Sequence, residues 1–485
     1  MATIDKTSVR AEINRLKVEF EQLCSDGKVT NETRVVVNSL LVVIELILSI
    51  FLEKKTRKNT KNSSLPSSQT EKDETASSQP QSKGKGKHVG GEVNNTRVKE
   101  TVSIIKVETC DCCGAPVDGV PCHEHERRTK IDIVFEKVIE HVDAEIKQCP
   151  NCKATVKGRF PQDMPGNLQY GNGLKAFAIH LIIGQMVALN RVQKQIAAMI
   201  GSVIAEASLL KFIWRLNQHL ESWEANAIKK ILQEPTIHVD ETSFRVEKKN
   251  HWIHVYSSGG LTLKLLHRKR GKEAINDLNI IPRYGGVIIH DCWASYLSYD
   301  HCGHGLCGSH LLRELTFVVE SNKYKWARNM KKLLLESCRK VSERKEKCLT
   351  VGEYANLQKR YRNIITRGGK ELPDIPPKPK GKRGKMAKSD AHNLWERFQK
   401  HETAILLFAK EPHIPFTNNR AERDLRMAKV KQKVSGCFRR ERYARAYCRI
   451  SSYLQTMANQ GINPLVAIQM ALASENPESD FDRGE

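Results

Sequence analysis

The chain has 485 residues and carries 79 Lys plus Arg against 55 Asp plus Glu, a formal net charge of +24. An excess of that size steers association with a polyanion such as nucleic acid and makes it steeply salt-dependent, without carrying sequence information. With 14 Cys and no secretory signal, metal sites in a reducing compartment are favoured over a disulfide framework, and the length accommodates about three or four domains.

Residues 1–53 are predicted to be helical. Ile13, Leu16, Phe20 and Leu23 begin an apolar stripe, and Val36, Leu40, Val43, Ile47 and Ile50 keep the 4,3,4,3 spacing of a coiled-coil seam, so self-association into a homodimer or higher oligomer is expected. The apolar stretch 35–52 is interrupted by Asn38, Ser39 and Glu45, which argues against a membrane span. Residues 54–100, rich in Ser, Thr, Asn, Gln, Lys and Gly, read as a disordered basic linker.

Residues 101–160 hold two knuckles, Cys110-Asp-Cys112-Cys113-Gly and Cys149-Pro-Asn-Cys152-Lys, separated by an alternating segment, 131–146. That is the plan of a zinc ribbon, in which four thiolates bind one structural Zn²⁺ tetrahedrally and supply folding energy that a small domain lacks. Cys110, Cys113, Cys149 and Cys152 are the expected ligands, with Cys112, Cys122, His123 and His125 as substitutes. In residues 161–233, the helical patterns 192–200 and 205–216 flank Gly201-Ser202 and put Ile196, Ile200, Leu209 and Ile213 inward. This reads as a helix-turn-helix or an ordinary helical hairpin; Arg191, Lys194, Lys211 and Arg215 favour contact with DNA.

From residue 234 the pattern becomes strand, strand, strand, helix, strand. Residues 236–246 are β-rich, 251–256 and 261–267 alternate, a helix is expected near 271–280, and Val287-Ile288-Ile289 is a short buried-strand run. This is the order of an α/β ribonuclease-H-like core, in which the first and fourth strands are neighbours. Asp240 and Asp291, at the ends of those two apolar runs, would then lie side by side. Taken singly, such an Asp is more often a cap or turn residue, and Glu422, four positions before Arg426, is more often half of a surface ion pair. Gathered together, three carboxylates need a cation, since two charges about 4 Å apart repel by roughly 4 kcal/mol at an effective dielectric near 20. Hard divalent ions with oxygen ligands suit that set.

Asp240 and Asp291 are 51 positions apart, whereas Asp291 and Glu422 are 131 apart, far more than a strand-to-helix connection requires. Residues 311–413 therefore read as an insertion, helical by its apolar positions Leu333, Leu334, Leu335, Cys338, Leu394, Phe398, Ile405 and Phe408. Within it Pro376-Pro377 and Lys378, Lys380, Lys382, Arg383, Lys385 and Lys388 form a basic strip suited to a DNA backbone or to a solvated loop. His301, Cys302, His304, Cys307 and His310 have ligand-like spacing, though packing around the site is the expected role of Cys307 and His310.

Several segments in order resemble the DDE transposases of the insertion-sequence 66 family: His-Val-Asp240-Glu-Thr, Asp291-Cys-Trp-Ala-Ser-Tyr, Leu-Cys307-Gly-Ser-His310-Leu-Leu-Arg313-Glu-Leu, and Asn418-Asn419-Arg-Ala-Glu422-Arg-Asp-Leu-Arg426, with Lys-Asn-Ser-Ser-Leu-Pro66 and the paired-cysteine module ahead of them. The resemblance implies that Asp240, Asp291 and Glu422 form a triad holding two Mg²⁺ or Mn²⁺ ions, and that residues 311–413 are an all-helical insertion before the last core segment, 414–485. It further implies cleavage at terminal inverted repeats and transfer of the freed 3′-hydroxyl into target DNA, in bacterial cytoplasm at the nucleoid, with accessory proteins of the same element as possible partners. Asn419 and Arg426 share the helical face of Glu422, His310 is a candidate for the scissile phosphate, and Lys429 and Lys433 continue the same face toward DNA. Two alternatives stand beside this reading: a non-cleaving DNA-binding regulator, and a nuclease that cuts without joining.

Overall fold

The computed structural model describes residues 6–30, 33–34, 36–41, 62, 101–133, 136–374 and 388–473. The chain divides into two compact units, one formed by residues 308–412 with the described part of 1–77, the other by residues 78–307 and 413–485.

The larger unit contains a five-stranded mixed sheet built from β3 (Thr236–Val246), β4 (Lys249–Ser258), β5 (Leu261–His267), β6 (Val287–His290) and β7 (Gly303–Leu306) in the order β5-β4-β3-β6-β7. The first three form antiparallel hairpins, and β6 and β7 run parallel to β3. β7 was not expected from the sequence. Its Gly-His-Gly-Leu run lacks β-branched residues because β6 passes too close: a Cβ on Gly305 would lie 2.5 Å from Ile289 Cδ1 and one on Gly303 2.9 Å from Val287 Cγ2.

Alternation along β3 sends Ile237 and Val239 to one face, where they pack with Ile231, Tyr256, Leu263, Ile275, Ile288 and Tyr296. Phe244 and Val246 point to the other face and share a core with Ala421, Leu425, Ala428, Tyr447 and Tyr453. That second core draws on both ends of the unit. Its N-terminal half comes from α2 (Asn172–Ile179), the π-helical turn His180–Gly184, α3 (Leu189–Ile200), α4 (Glu206–His219) and α5 (Glu221–Gln233). The C-terminal half comes from α12 (Asn419–Ser435), α13 (Glu441–Asn459) and α14 (Pro464–Ala473). Trp223 and Tyr453 meet edge to face at 5.3 Å across the junction, and Arg449 of α13 reaches Glu224, Glu221 and Asn217.

β5 is an edge strand whose free N–H groups could recruit another chain. Helix α13 covers that edge: Ser452 Oγ accepts from Lys264 N at 2.8 Å and Thr456 Oγ1 from Thr262 N at 3.1 Å. At the start of α13, Glu441 pairs with Arg268 at 2.9 Å and Arg445 at 2.8 Å, and these two cations pull its carboxyl down to about 2. A depressed carboxyl stabilises the fold above its unfolded value of about 4.3, and that contribution is lost as pH falls through the folded value. Glu441→Gln is therefore expected to cost about 1 kcal/mol at pH 7, a difference that thermal melts should show disappearing by about pH 2.

The smaller unit holds α7 (Gly308–Asn322), α8 (Lys325–Glu343), α9 (Val351–Glu371), α10 (Asp390–Lys400) and α11 (Glu402–Lys410), packed around Trp326, Leu333, Leu334, Tyr361 and Phe398. Tyr361 stacks on Phe398 at 6.2 Å and donates its hydroxyl proton to the Phe398 carbonyl. A complete capping box, Thr350 with Glu353, starts α9. Gly368 lets that helix approach Trp326, since a Cβ there would lie 2.8 Å from the indole. This unit also contains α1 (Lys6–Ser25), whose Leu16 and Leu23 are exposed, as are Val36 and Leu40 further on. Of the expected linker only Asn62 is described, its amide donating to Glu320 of α7 at 3.1 Å. Val43, Ile47 and Ile50 of the expected seam, and all of the basic strip before Lys388, lie outside the described residues.

Between the two cysteine knuckles the structure departs from expectation. The alternating segment 131–146 forms no strand over its described residues before Ile146; only β1 (Ile146–Gln148) and β2 (Thr155–Lys157) pair, as a small hairpin around the second knuckle. Alternation produces a strand only where a partner supplies the ladder, and Ile131, Ile133, Val138 and Ile139 are all exposed. Among the described residues no helix is long and apolar enough to cross a membrane.

Candidate active site

Strand β3 and strand β6 pair in parallel with Ile237 opposite Ile288 and His238 opposite Ile289, a constant offset of 51. Asp240 and Asp291 have the same offset, so continuing the register two residues places one beside the other. Asp240 shares the parity of Phe244 and Val246 and lies on the face covered by α12. Asp291 follows the last residue of β6 and begins a tight turn. Its Oδ1 accepts from Trp293 N at 3.2 Å, while Cys292 takes a left-handed backbone, φ 68°, and donates its N–H to His290 Nδ1 at 3.1 Å. With Nδ1 of His290 accepting, its Nε2 faces His304 Nδ1 at 3.1 Å, and His304 Nε2 faces the Tyr299 carbonyl at 3.2 Å. This buried relay holds the turn that carries Asp291.

Glu422 reaches the site through the docking of α12. Asn418, the residue before that helix, is buried and uses its side chain on the sheet rather than as a helix cap. Its Nδ2 donates to the Val239 carbonyl at 2.8 Å, its Oδ1 meets His238 Nδ1 at 2.9 Å, and its N–H donates to Cys307 Sγ at 3.1 Å. Asn418 thus pins the helix start to the two residues of β3 that precede Asp240. One turn on, Cys307 Sγ lies within 4.8 Å of a Glu422 carboxylate oxygen. Asp424, 2 % exposed, fixes the same helix to β4 and β5 by accepting from Ser257 Oγ at 2.7 Å and Thr262 Oγ1 at 2.9 Å.

The electrostatics register the assembly. Burial raises the Asp240 carboxyl well above the usual carboxylate range, and the negative charges of Glu241, Asp291 and Glu422 add to the rise. Burial, with Glu241 adding to it and the Trp293 N–H and Arg270 opposing, pushes Asp291 up to about 6. Asp240 thus lies in the field of Asp291 and Glu422, and carboxylates gathered in this way suit a hard divalent cation, although among the described residues the oxygens of the three acids do not all lie within 4.8 Å of one another.

The remaining candidates fall at different places. Asn419 and Arg426 are exposed and line an open cleft together with Arg420, Glu422 and Arg423. Lys433 is exposed, but Lys429 does not project with it: its ammonium donates to the Ser243 carbonyl at 2.6 Å and to Ser243 Oγ at 2.9 Å, tying α12 to β3. His310 belongs to the first turn of α7 in the helical unit, where burial and Arg313 bring its imidazole down to about 4. Arg191 and Lys194 on α3, and Lys211 and Arg215 on α4, are exposed, while Ile196, Leu209 and Ile213 are buried and Gly201 turns the chain between the helices with φ 65°.

The two cysteine knuckles have the same backbone turn. Cys110 N bonds Ala115 O and Gly114 N bonds Cys110 O; Cys149 N bonds Ala154 O and Lys153 N bonds Cys149 O. In each, backbone N–H groups directed at the first sulfur lower its pKa, toward the thiolate that a metal requires. Among the described residues the two knuckles do not come together into one four-thiol set.

Of the Asn-Asn pair it is Asn418, and not the expected Asn419, that meets the sheet; its signal in the sequence is its position just ahead of a helix. Asp424, Glu241, Arg270 and Tyr296 gave no signal, because their partners lie far away in sequence. In comparison with known proteins, the model of a family described as Transposase IS66 family matches residues 167–446, a span that includes all three acids. No curated protein matches the chain.

Proposed function

Because the chain belongs to the IS66 family of transposases, we propose that it is a DDE enzyme that cuts at the ends of an insertion sequence and joins the freed 3′-hydroxyl to target DNA. The observation that supports this reading is the convergence of β3, β6 and α12, with Asp240 in the field of both Asp291 and Glu422 beside the end of β6. The strand order, with three antiparallel strands followed by two parallel ones, supports a ribonuclease-H-like core. Asp240, Asp291 and Glu422 would hold two Mg²⁺ or Mn²⁺. Such a pair, when bound, activates an attacking oxygen and stabilises the leaving one during in-line displacement.

The chain's own residues supply the rest. Asn418 and Asp424 hold Glu422 against the sheet, the His290 and His304 relay fixes the Asp291 turn, and Arg423 and Arg426 offer guanidinium groups to phosphates entering the cleft. Water attacks first at the element end, and the 3′-hydroxyl so produced attacks the target strand in the same site. Outside the core, Arg191, Lys194, Lys211 and Arg215 would contact DNA backbone through α3 and α4. Cys110, Cys113, Cys149 and Cys152 would bind structural Zn²⁺, the repeated knuckle turn being the support for that assignment. Self-association through the N-terminal helices, accessory proteins of the same element and a place at the bacterial nucleoid complete the reading.

The test incubates the protein with labelled terminal-repeat DNA, a target plasmid and Mg²⁺, beside Glu422→Gln. Joined products from the wild type alone are expected. Nicks without joining would identify a nuclease, binding without nicks a regulator, and joining that persists in Glu422→Gln would remove that residue from the triad.

A further inference from the structure

The residue after Asp240 is a fourth acid, Glu241, which alternation sends to the opposite face of β3, where it is 3 % exposed. A carboxylate so deeply buried costs several kcal/mol unless paired and hydrogen-bonded. Glu241 is both. The Arg270 guanidinium contacts its Oε1 through Nε at 2.7 Å and Nη2 at 2.6 Å, and the Tyr296 hydroxyl donates to its Oε2 at 2.6 Å. Arg270 in turn lies between two indoles, 5.0 Å from the Trp252 ring centroid and 4.4 Å from that of Trp293. Tyr296 and Trp293 also meet each other edge to face at 5.4 Å.

Two of these partners, Trp293 and Tyr296, belong to the segment that begins at Asp291, and a third, Glu241, is the neighbour of Asp240. Arg270 comes from neither strand; it follows β5 and precedes α6 (Lys272–Leu278). It therefore joins the two chain segments that carry the aspartates from the face of β3 opposite Asp240, and its charge also reaches the Asp291 carboxylate.

Building on the divalent-cation site proposed above, we propose that Arg270 is a positioning residue for that site: through Glu241, Tyr296 and Trp293 it clamps the Asp291 turn to the middle of β3 and thereby sets the separation at which Asp240 and Asp291 share a cation. The clamp touches neither DNA nor the cation. Its signature is a loss of cation affinity with binding of DNA left intact. Partners that orient metal ligands without touching the ion typically contribute about 10–100-fold in affinity or activity.

The experiment measures Mn²⁺ binding to the full-length protein by electron paramagnetic resonance, DNA affinity in chelator, and the melting temperature. It compares wild type, Asp240→Ala, Arg270→Met, Arg270→Lys, Glu241→Gln and the double variant Arg270→Met with Glu241→Gln. Arg270→Met is expected to raise the Mn²⁺ concentration for half-saturation about 10-fold or more, with DNA affinity within about 2-fold of wild type. Arg270→Lys, which keeps a cation beside Glu241 but loses the fork and the flat stack, should fall between. It also keeps the comparison informative should the Met variant not fold. Since Arg270 acts through Glu241, the double variant should bind Mn²⁺ no more weakly than the weaker single variant. Unchanged Mn²⁺ half-saturation in Arg270→Met and Arg270→Lys overturns the clamp, as does an additive loss in the double variant or a parallel loss of DNA affinity and melting temperature in both Arg270 variants. If instead wild type shows no Mn²⁺ binding that Asp240→Ala abolishes, the cation site falls and the clamp with it.

Discussion

Asp240→Asn should abolish DNA cleavage, by about 10³-fold or more in the Mg²⁺-dependent rate, while raising the melting temperature of the cation-free protein. The two effects have one cause. Asp240 is the acid whose carboxyl is raised both by burial and by Glu241, Asp291 and Glu422 together, so in the absence of a cation its charge is the least compatible with the fold. An amide keeps the shape and removes the charge. Relief of that repulsion should stabilise the protein by about 1 kcal/mol, or roughly 2–4 °C.

The pH dependence follows from the same groups. Asp291 is held near 6 in the folded protein, against about 3.9 for an unfolded aspartate. From about pH 4 to 6 the folded protein keeps a proton that the unfolded chain has released, so stability falls as pH rises through that window and stays lower above it. A divalent cation reverses the fall by compensating the carboxylates. The stabilisation of wild type by Mg²⁺ should therefore grow from pH 5 to pH 8 in melting experiments and be nearly absent in Asp240→Asn. A variant that melts like wild type in chelator and still gains stability from Mg²⁺ would place the cation elsewhere.

Asp424→Ala is the expected largest loss of stability from a single change in the core. Asp424 lies on α12, two positions from Glu422, and accepts from Ser257 and Thr262 deep between helix and sheet. Its charge also favours the ammonium form of Lys264, a lysine 3 % exposed whose pKa burial lowers. Truncation leaves two hydroxyls without their acceptor and a buried ammonium without its counter-charge, a combination worth about 3–5 kcal/mol. Cleavage should fall as well, because Glu422 loses one of its two anchors. Asp424→Asn keeps an acceptor for the hydroxyls and should recover about half of the lost stability. If Asp424→Ala instead melts within a degree of wild type, α12 is held by Asn418 and apolar packing alone.

Much of the sheet was legible because its signals are local. Residues 236–246, 261–267 and 287–289 announce themselves by β-branched runs and turn residues, and the structure forms strands there. The shared offset of 51 was legible for the same reason: the two aspartates end two runs that pair directly. What failed was set by distance in sequence. β7 is glycine-containing because β6 crowds it, and nothing in its own four residues reports that neighbour. The alternation of 131–146 suggested a strand where, among the described residues before Ile146, no ladder forms. Asn418 rather than Asn419 faces the sheet, a choice made by the angle at which α12 docks and by no property of the pair itself. Lys429 reads as a surface cation until the Ser243 carbonyl is seen above it.

The second core of the larger unit has a consequence for shortened chains. Helices α2, α4 and α5 lie over residues contributed by α13 and α14, through contacts such as Trp223 with Tyr453 and Glu224 with Arg449. A polypeptide that stops before residue 413 lacks the acid of the third segment and also the apolar surface of α13 and α14 against which α2 and α4 are folded. Premature termination should then yield an aggregating or degraded fragment, not a binder that occupies the element ends and blocks the intact protein. An inhibitor derived from this gene would have to keep its C-terminal helices and carry its defect in a single carboxylate.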